Sequence, residues 1–176
     1  MAELISRVRG LIGDPAGSSQ TFTDDEVQAA LDRTQLLVRT APLRPVPTLL
    51  PGGIVEYREH LAGLTDWEAG ETLTDAAYQP VTPTSADRLT GRWVFASPGQ
   101  PPPVLITGAT YDVAMAAALL LEQWAARLAR QFDLTLPGGS FSRSQQARAL
   151  QELAVTYRRQ ARPMAVSLAR TDLGAM

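Results

Sequence analysis

Residues 110–132, TYDVAMAAALLLEQWAARLARQF, decide the fold. Val113, Ala117, Leu120, Trp124, Leu128 and Gln131 recur at the three- and four-residue spacing of a single helix ridge, which Leu121 and Phe132 widen. Ala114, Ala116, Ala117 and Ala118 keep the first half thin, so other helices can approach closely. Thr110 is placed to cap this helix, and Asp112 is favourable near its positive end. The run reads as the longest helix and the spine of the molecule. Its most apolar part, residues 113–121, is soon followed by Glu122 and Arg127 and is too short for a membrane span.

Toward the N-terminus, Leu4, Ile5, Val8, Leu11 and Ile12 form one apolar stripe of a helix that Gly13, Asp14 and Pro15 stop. Glu3, Arg7 and Arg9 interrupt that stretch, so it lacks the apolar run of a signal peptide, and an intracellular product is expected. Thr23-Asp24-Asp25-Glu26 has the form of a capping box, with Phe22 and Val27 as its hydrophobic staple. The second helix is expected to run from there through Ala30, Leu31 and Thr34 to about Arg39, before Pro42, Pro45 and Pro47. Toward the C-terminus, Ser142-x-x-Gln145 offers a second capping box, followed by the stripe Ala147, Leu150, Leu153, Ala154, Tyr157 and Ala161. Arg158, Arg159 and Arg162 crowd the negative end of this fourth helix ahead of Pro163.

Between the helix pairs the period disappears, and ten of the 13 prolines lie from Pro42 to Pro103. Short β-prone runs remain at residues 53–60, 93–96 and 104–107, the last after an extended proline run at 101–103. In the first run, Ile54, Glu56, Arg58 and His60 share one face and Val55, Tyr57 and Glu59 the other. The expected fold is therefore mainly α. It is a four-helix core with a small β-rich insertion between the second and third helices and an extended C-terminal tail, divided as 1–47, 48–110, 111–162 and 163–176.

With 176 residues, 45% hydrophobic and 19% charged, the chain can bury a core of its own. It has no Cys, no Lys and one His, which removes disulfides, zinc–thiolate sites, cysteine nucleophiles and a Walker A loop. The net charge of -2 argues against a uniformly basic nucleic-acid binder. No serine has nucleophile-elbow surroundings, so His60 reads as a surface or interface histidine rather than a catalytic base. Asp66, Glu68 and Glu71 do not match a calcium loop and read as a solvated loop face. Asp24, Asp25 and Glu26 are explained by their place at a helix start, where they would also repel DNA phosphates from a recognition helix. Trp124 and Trp93 read as core, whereas Trp67 is either core or presented to a neighbour. Arg158, Arg159 and Arg162 are either helix-end compensation or a docking patch for an acidic partner. No catalytic residue, metal or cofactor is expected.

Two groups of residues carry a resemblance. At the start these are LISRVRGLIGD (residues 4–14) and FTDDEVQAALD (22–32); toward the end they are YDVA (111–114), LLLEQWAA (119–126), FSRSQ (141–145) and LAVTYRRQARP (153–163). Together they resemble the two helix pairs of the head-to-tail connector proteins, also called adaptor or head-completion proteins, of long-tailed bacteriophages. The resemblance implies a virion neck protein, non-enzymatic, assembled in the host cytoplasm as one of about twelve copies in a ring beneath the portal. Such a ring extends the channel, passes genomic DNA without binding it specifically, touches no membrane, and offers a platform to the stopper or tail-completion protein.

Residues 1–47 carry five arginines against six acids, residues 48–110 three against seven, and residues 111–176 eight against five. An acidic insertion and a basic carboxyl half suit head-to-tail contacts. The tail is expected to be disordered in the free subunit and to fold on the portal, with Met164, Val166, Leu168, Arg170 and Leu173 as its docking residues. Trp67, Tyr57 and His60 are the expected contacts of the insertion with neighbouring subunits or the next ring, and Arg158, Arg159 and Arg162 the expected interface patch. The rival class is an Arg-rich helical nucleic-acid-binding or regulatory protein.

Overall fold

A computed structural model of the chain describes residues 1–130, 134–136, 139–141 and 143–162. Four helices are present: α1 (Ala2–Ile12), α2 (Asp24–Asp32), α3 (Val113–Ala129) and α4 (Arg143–Gln160). Among the described residues there are also nine strands: β1 (Gln35–Pro42), β2 (Arg44–Leu49), β3 (Val55–Leu61), β4 (Thr72–Thr74), β5 (Ser85–Asp87), β6 (Arg92–Val94), β7 (Leu105–Tyr111), β8 (Leu134–Leu136) and β9 (Gly139–Phe141). The expectation of a mainly α fold is therefore wrong. This is a mixed α and β molecule whose two larger sheets are antiparallel.

The helical starts follow local chemistry. Gly13 closes α1 in the left-handed region at φ 68° and sends its N–H to the Arg9 carbonyl. At α2 the Thr23 side chain accepts from the Glu26 N–H and the Glu26 carboxylate accepts from the Thr23 N–H, completing the capping box. α2 then ends at Asp32, not near Arg39. Residues 35–42 instead pair with β7, from Gln35 opposite Tyr111 to Pro42 opposite Leu105. Tertiary pairing prevails over the helical reading there, and the β-branched Val38 suits a pleated strand, whereas Thr40, at φ 48°, lies in the irregularity between Val38 and Ala41. Thr110 also departs from expectation, since it lies in β7 while Asp112 caps α3 by accepting from the Met115 N–H. α4, with 18 residues, exceeds α3 by one. The proposed Ser142 cap lies outside the described residues.

β1, β7 and β4 form one sheet, and β2, β3, β6 and β5 another. β1 passes into β2 through Leu43, which is buried and donates its N–H to the Val104 carbonyl, so one stretch of chain serves as an edge of both sheets. A small third sheet pairs β8 with β9. Two cores result. The helical one gathers Leu4, Val8, Phe22, Leu31, Leu120 and Leu121 around α3, which packs on α4, α1 and α2. The second draws Leu73 and Ile106 from one sheet and Trp93 from the other, with Trp67, Phe95 and Val104. Trp67 and Trp93 meet edge to face at 5.7 Å between ring centres. β7 leads straight into α3, and Tyr111, its last residue, already belongs to the helical core.

Candidate functional site

His60, expected at the surface, is fully buried. Its Nε2 lies 3.0 Å from the Gln100 carbonyl, which can only accept, so Nε2 carries the proton. Nδ1 has no partner, and Phe95 packs edge to face at 5.3 Å. The Ser97 hydroxyl donates not to His60 but to Glu56, at 2.8 Å. Among the described residues no three His, Asp or Glu side chains converge as a metal site.

The acidic group is likewise not a solvated face. Asp66 is 6% exposed and takes ion pairs from Arg7 of α1 and from Arg162, just beyond α4. Glu68 accepts from the Tyr111 hydroxyl at 2.7 Å. Glu71 accepts from Arg88 at 2.8 Å and from the Trp93 indole at 3.1 Å. Burial opposes ionisation of Glu71, but the Arg88 and Trp93 contacts outweigh it and hold the carboxyl below its ordinary value. Within the insertion Glu71 and Glu59 are paired by its own Arg88 and Arg92, and among the described residues only Asp66 takes arginines from outside it.

Arg9, which sequence reasoning passed over, is 3% exposed and organises the N-terminal corner. It donates to Asp14 at 3.1 Å, to Asp24 at 2.8 Å and to the Phe22 carbonyl at 2.7 Å. Its signal was legible: it stands beside Val8 on the apolar stripe, a place where an arginine needs partners. Of the arginines near the end of α4, Arg158 pairs with Glu122, and Arg162 reaches Thr110 and the Thr65 carbonyl as well as Asp66. Arg159 is exposed and has no ion pair among the described residues. Trp67, 3% exposed, and His60 are enclosed and cannot serve as contacts to a neighbour, whereas Tyr57 is half-buried. Trp93 is core, and Trp124, half-buried, meets Phe22 edge to face. Met164, Val166, Leu168, Arg170 and Leu173 lie outside the described residues.

What the surface does present is apolar. β6 pairs with β3 only at Glu59–Leu61, residues 95–100 follow it as far as Arg58, Tyr57 and Glu56, and beyond them β2 and β3 continue as a short two-stranded arm. At its tip Gly52 and Gly53 take φ of 89° and 79°, and the Leu50 N–H reaches the Ile54 carbonyl. Leu49, Ile54 and Val55 there are 72%, 61% and 46% exposed. Beside α1 an open groove of about 530 Å³ is lined by Ala2, Ile5, Gly10, Gly13, Pro15 and Ala16, with Ser6, Arg9 and Asp24 as its polar members. Leu36 and Leu37 of β1 and Val155 of α4 are further exposed apolar side chains. Reading residues 35–39 as helix concealed the first two.

Comparison of the chain with models of protein families, with curated proteins and with solved structures finds no match.

Proposed function

We propose that the chain is a structural subunit of a homo-oligomeric ring, a head-to-tail connector of the bacteriophage neck that sits beneath the portal and continues the DNA channel toward the stopper. One observation carries the reading: a projecting arm with three exposed large apolar side chains and a separate apolar groove beside α1 stand on the same chain. Unlike surfaces on one chain suit heterologous contacts, which close into rings when the rotation per subunit allows. The resemblance of the helix pairs supports the place of that ring, and residues 164–176 are its proposed contact with the portal. The rival nucleic-acid reading loses support where Arg158 and Arg162 are engaged by Glu122 and Asp66.

The test is sedimentation and electron microscopy of the full chain, alone and mixed with portal rings. Rings, or an added layer under the portal in side views, are expected. Leu49→Asp with Ile54→Asp should abolish them while leaving the circular-dichroism spectrum intact, because both side chains are solvent-facing in the subunit. A chain that stays monomeric with and without portal overturns the proposal.

A further inference from the structure

β1 is an edge strand, and among the described residues no strand lies beyond it. Every second N–H and C=O of such a strand points outward unpaired. Proteins usually blunt such edges, and β2 is blunted here: Pro45 and Pro47 remove two donors. β1 keeps Pro only at its last residue, Pro42, and its register shift falls between Val38 and Ala41. Residues 35–38 therefore form an open, regularly paired template, with Arg39 at the start of the irregularity that follows. Leu36 and Val38 share the face that leads into the sheet core, against which Val38 packs. Leu37, 64% exposed, faces the other way, and Arg39, where the register shifts, is also exposed.

The charge around this edge is one-sided. No acid occurs between Asp32 and Glu56, while Arg33, Arg39 and Arg44 all lie there. Arg7, Arg9, Arg88, Arg92, Arg127, Arg148, Arg158 and Arg162 are ion-paired within the molecule. Among the described residues Arg33, Arg39 and Arg44 are exposed and have no ion pair, and the same holds for Arg58 of β3, the neighbour of β2. An open strand edge with apolar side chains and unpaired arginines recognises backbone as well as charge, which a polyphosphate cannot satisfy.

We infer that the β1 edge, residues 35–39, is a docking site for an acidic extended segment of a partner protein, which adds to the sheet as a strand. In the added strand, apolar side chains lie over Leu36 and Val38 and a carboxylate meets Arg39. The inference goes beyond ring formation and stands without it.

The test uses the full chain and fluorescence anisotropy with a short labelled peptide in which Glu alternates with Val. The same peptide with Lys for Glu, and the Glu peptide with alternate backbone nitrogens methylated, serve as controls. Saturable binding is expected for the Glu peptide only. Arg39→Glu should weaken it at least about tenfold, and Arg130→Glu, the same charge change at an exposed unpaired arginine of another element, should not. Both variants should keep the wild-type circular-dichroism spectrum. Equal binding of the Lys or methylated peptide, or full binding by Arg39→Glu, overturns the inference. So does tight binding of a labelled DNA duplex without peptide binding. Self-association that Arg39→Glu abolishes, again without peptide binding, overturns it too, by giving the edge to a second copy.

Discussion

At the scale of single residues, polar groups here act as joints between elements that are far apart in the sequence. The Tyr111 hydroxyl donates to Glu68 and accepts from the Gln35 amide at 3.0 Å, tying β7, the preceding loop and β1 together. Burial, then the bond to the Glu68 carboxylate, pushes the phenol up to about 12. A raised phenol proton is bound more tightly in the folded state, so this contribution is complete below pH 10 and is lost as the pH rises toward 12. Ultraviolet titration should show a phenolate step near pH 12 that Tyr111→Phe removes; an unchanged titration curve in the variant would refute the assignment. Glu71 works in the opposite sense. Its carboxyl sits below the ordinary 4.5, so its stabilisation is present above that pH and fades as the pH falls through the lowered value. Glu71→Gln should be less stable at neutral pH, with the difference from wild type shrinking in thermal melts as the pH falls below the ordinary carboxylate value. The sequence displayed Glu68 and Glu71 only as members of an acidic loop, because their partners Tyr111, Arg88 and Trp93 become neighbours only when the sheets form.

At the scale of elements, local signals placed the helix starts better than their ends: α2 stops short of Arg39. Even so, Asp112 rather than Thr110 caps α3, and Leu153 of the expected α4 stripe is exposed. α1 and α2 begin where stripe, cap and staple place them, and α4 buries Ala147 and Ala154 of its expected stripe. β1 was illegible for the converse reason. Its residues carry no alternation that a strand with both Leu36 and Leu37 exposed would need to show, and only pairing with β7, about seventy residues away, makes it a strand. The arm depends on a similar long-range contact. Gly99, at φ 89°, lies so close to β3 that a Cβ there would meet the Tyr57 carbonyl oxygen at 2.5 Å, and Gln100 sends its N–H to the same oxygen. Gly99→Ala is thus strained both by φ and by a backbone contact that cannot yield cheaply. It should destabilise the protein by about 1–3 kcal/mol in denaturant titration, whereas Gly52→Ala, with open space around its Cβ, pays only the strain of φ.

At the scale of the molecule, two cores have to behave as one. The chain crosses between them at the α2–β1 and β7–α3 junctions, and Tyr111 inserts one strand end into the helical core. Asp66 adds the third link. Held at φ 61°, it takes Arg7 from α1 and Arg162 from the end of α4, receives the Thr65 hydroxyl, and accepts the Tyr111 N–H on its own carbonyl. Removing its carboxylate leaves two arginines of the helical side, Arg7 and Arg162, facing a site across the boundary between the cores that is largely shielded from water. Asp66→Ala should therefore cost about 2 kcal/mol, less than a fully buried pair because Arg7 and Arg162 remain partly exposed. Asp66→Asn, which keeps an acceptor, should cost less. Wild type should unfold with coincident curves by tryptophan fluorescence, dominated by Trp67 and Trp93 in the sheet core, and by far-ultraviolet circular dichroism, dominated by the helices. In Asp66→Ala the two curves should shift together to lower denaturant. An unchanged midpoint would show that the covalent junctions alone couple the cores, and that the Asp66 ion pairs contribute nothing to holding the helices on the sheets.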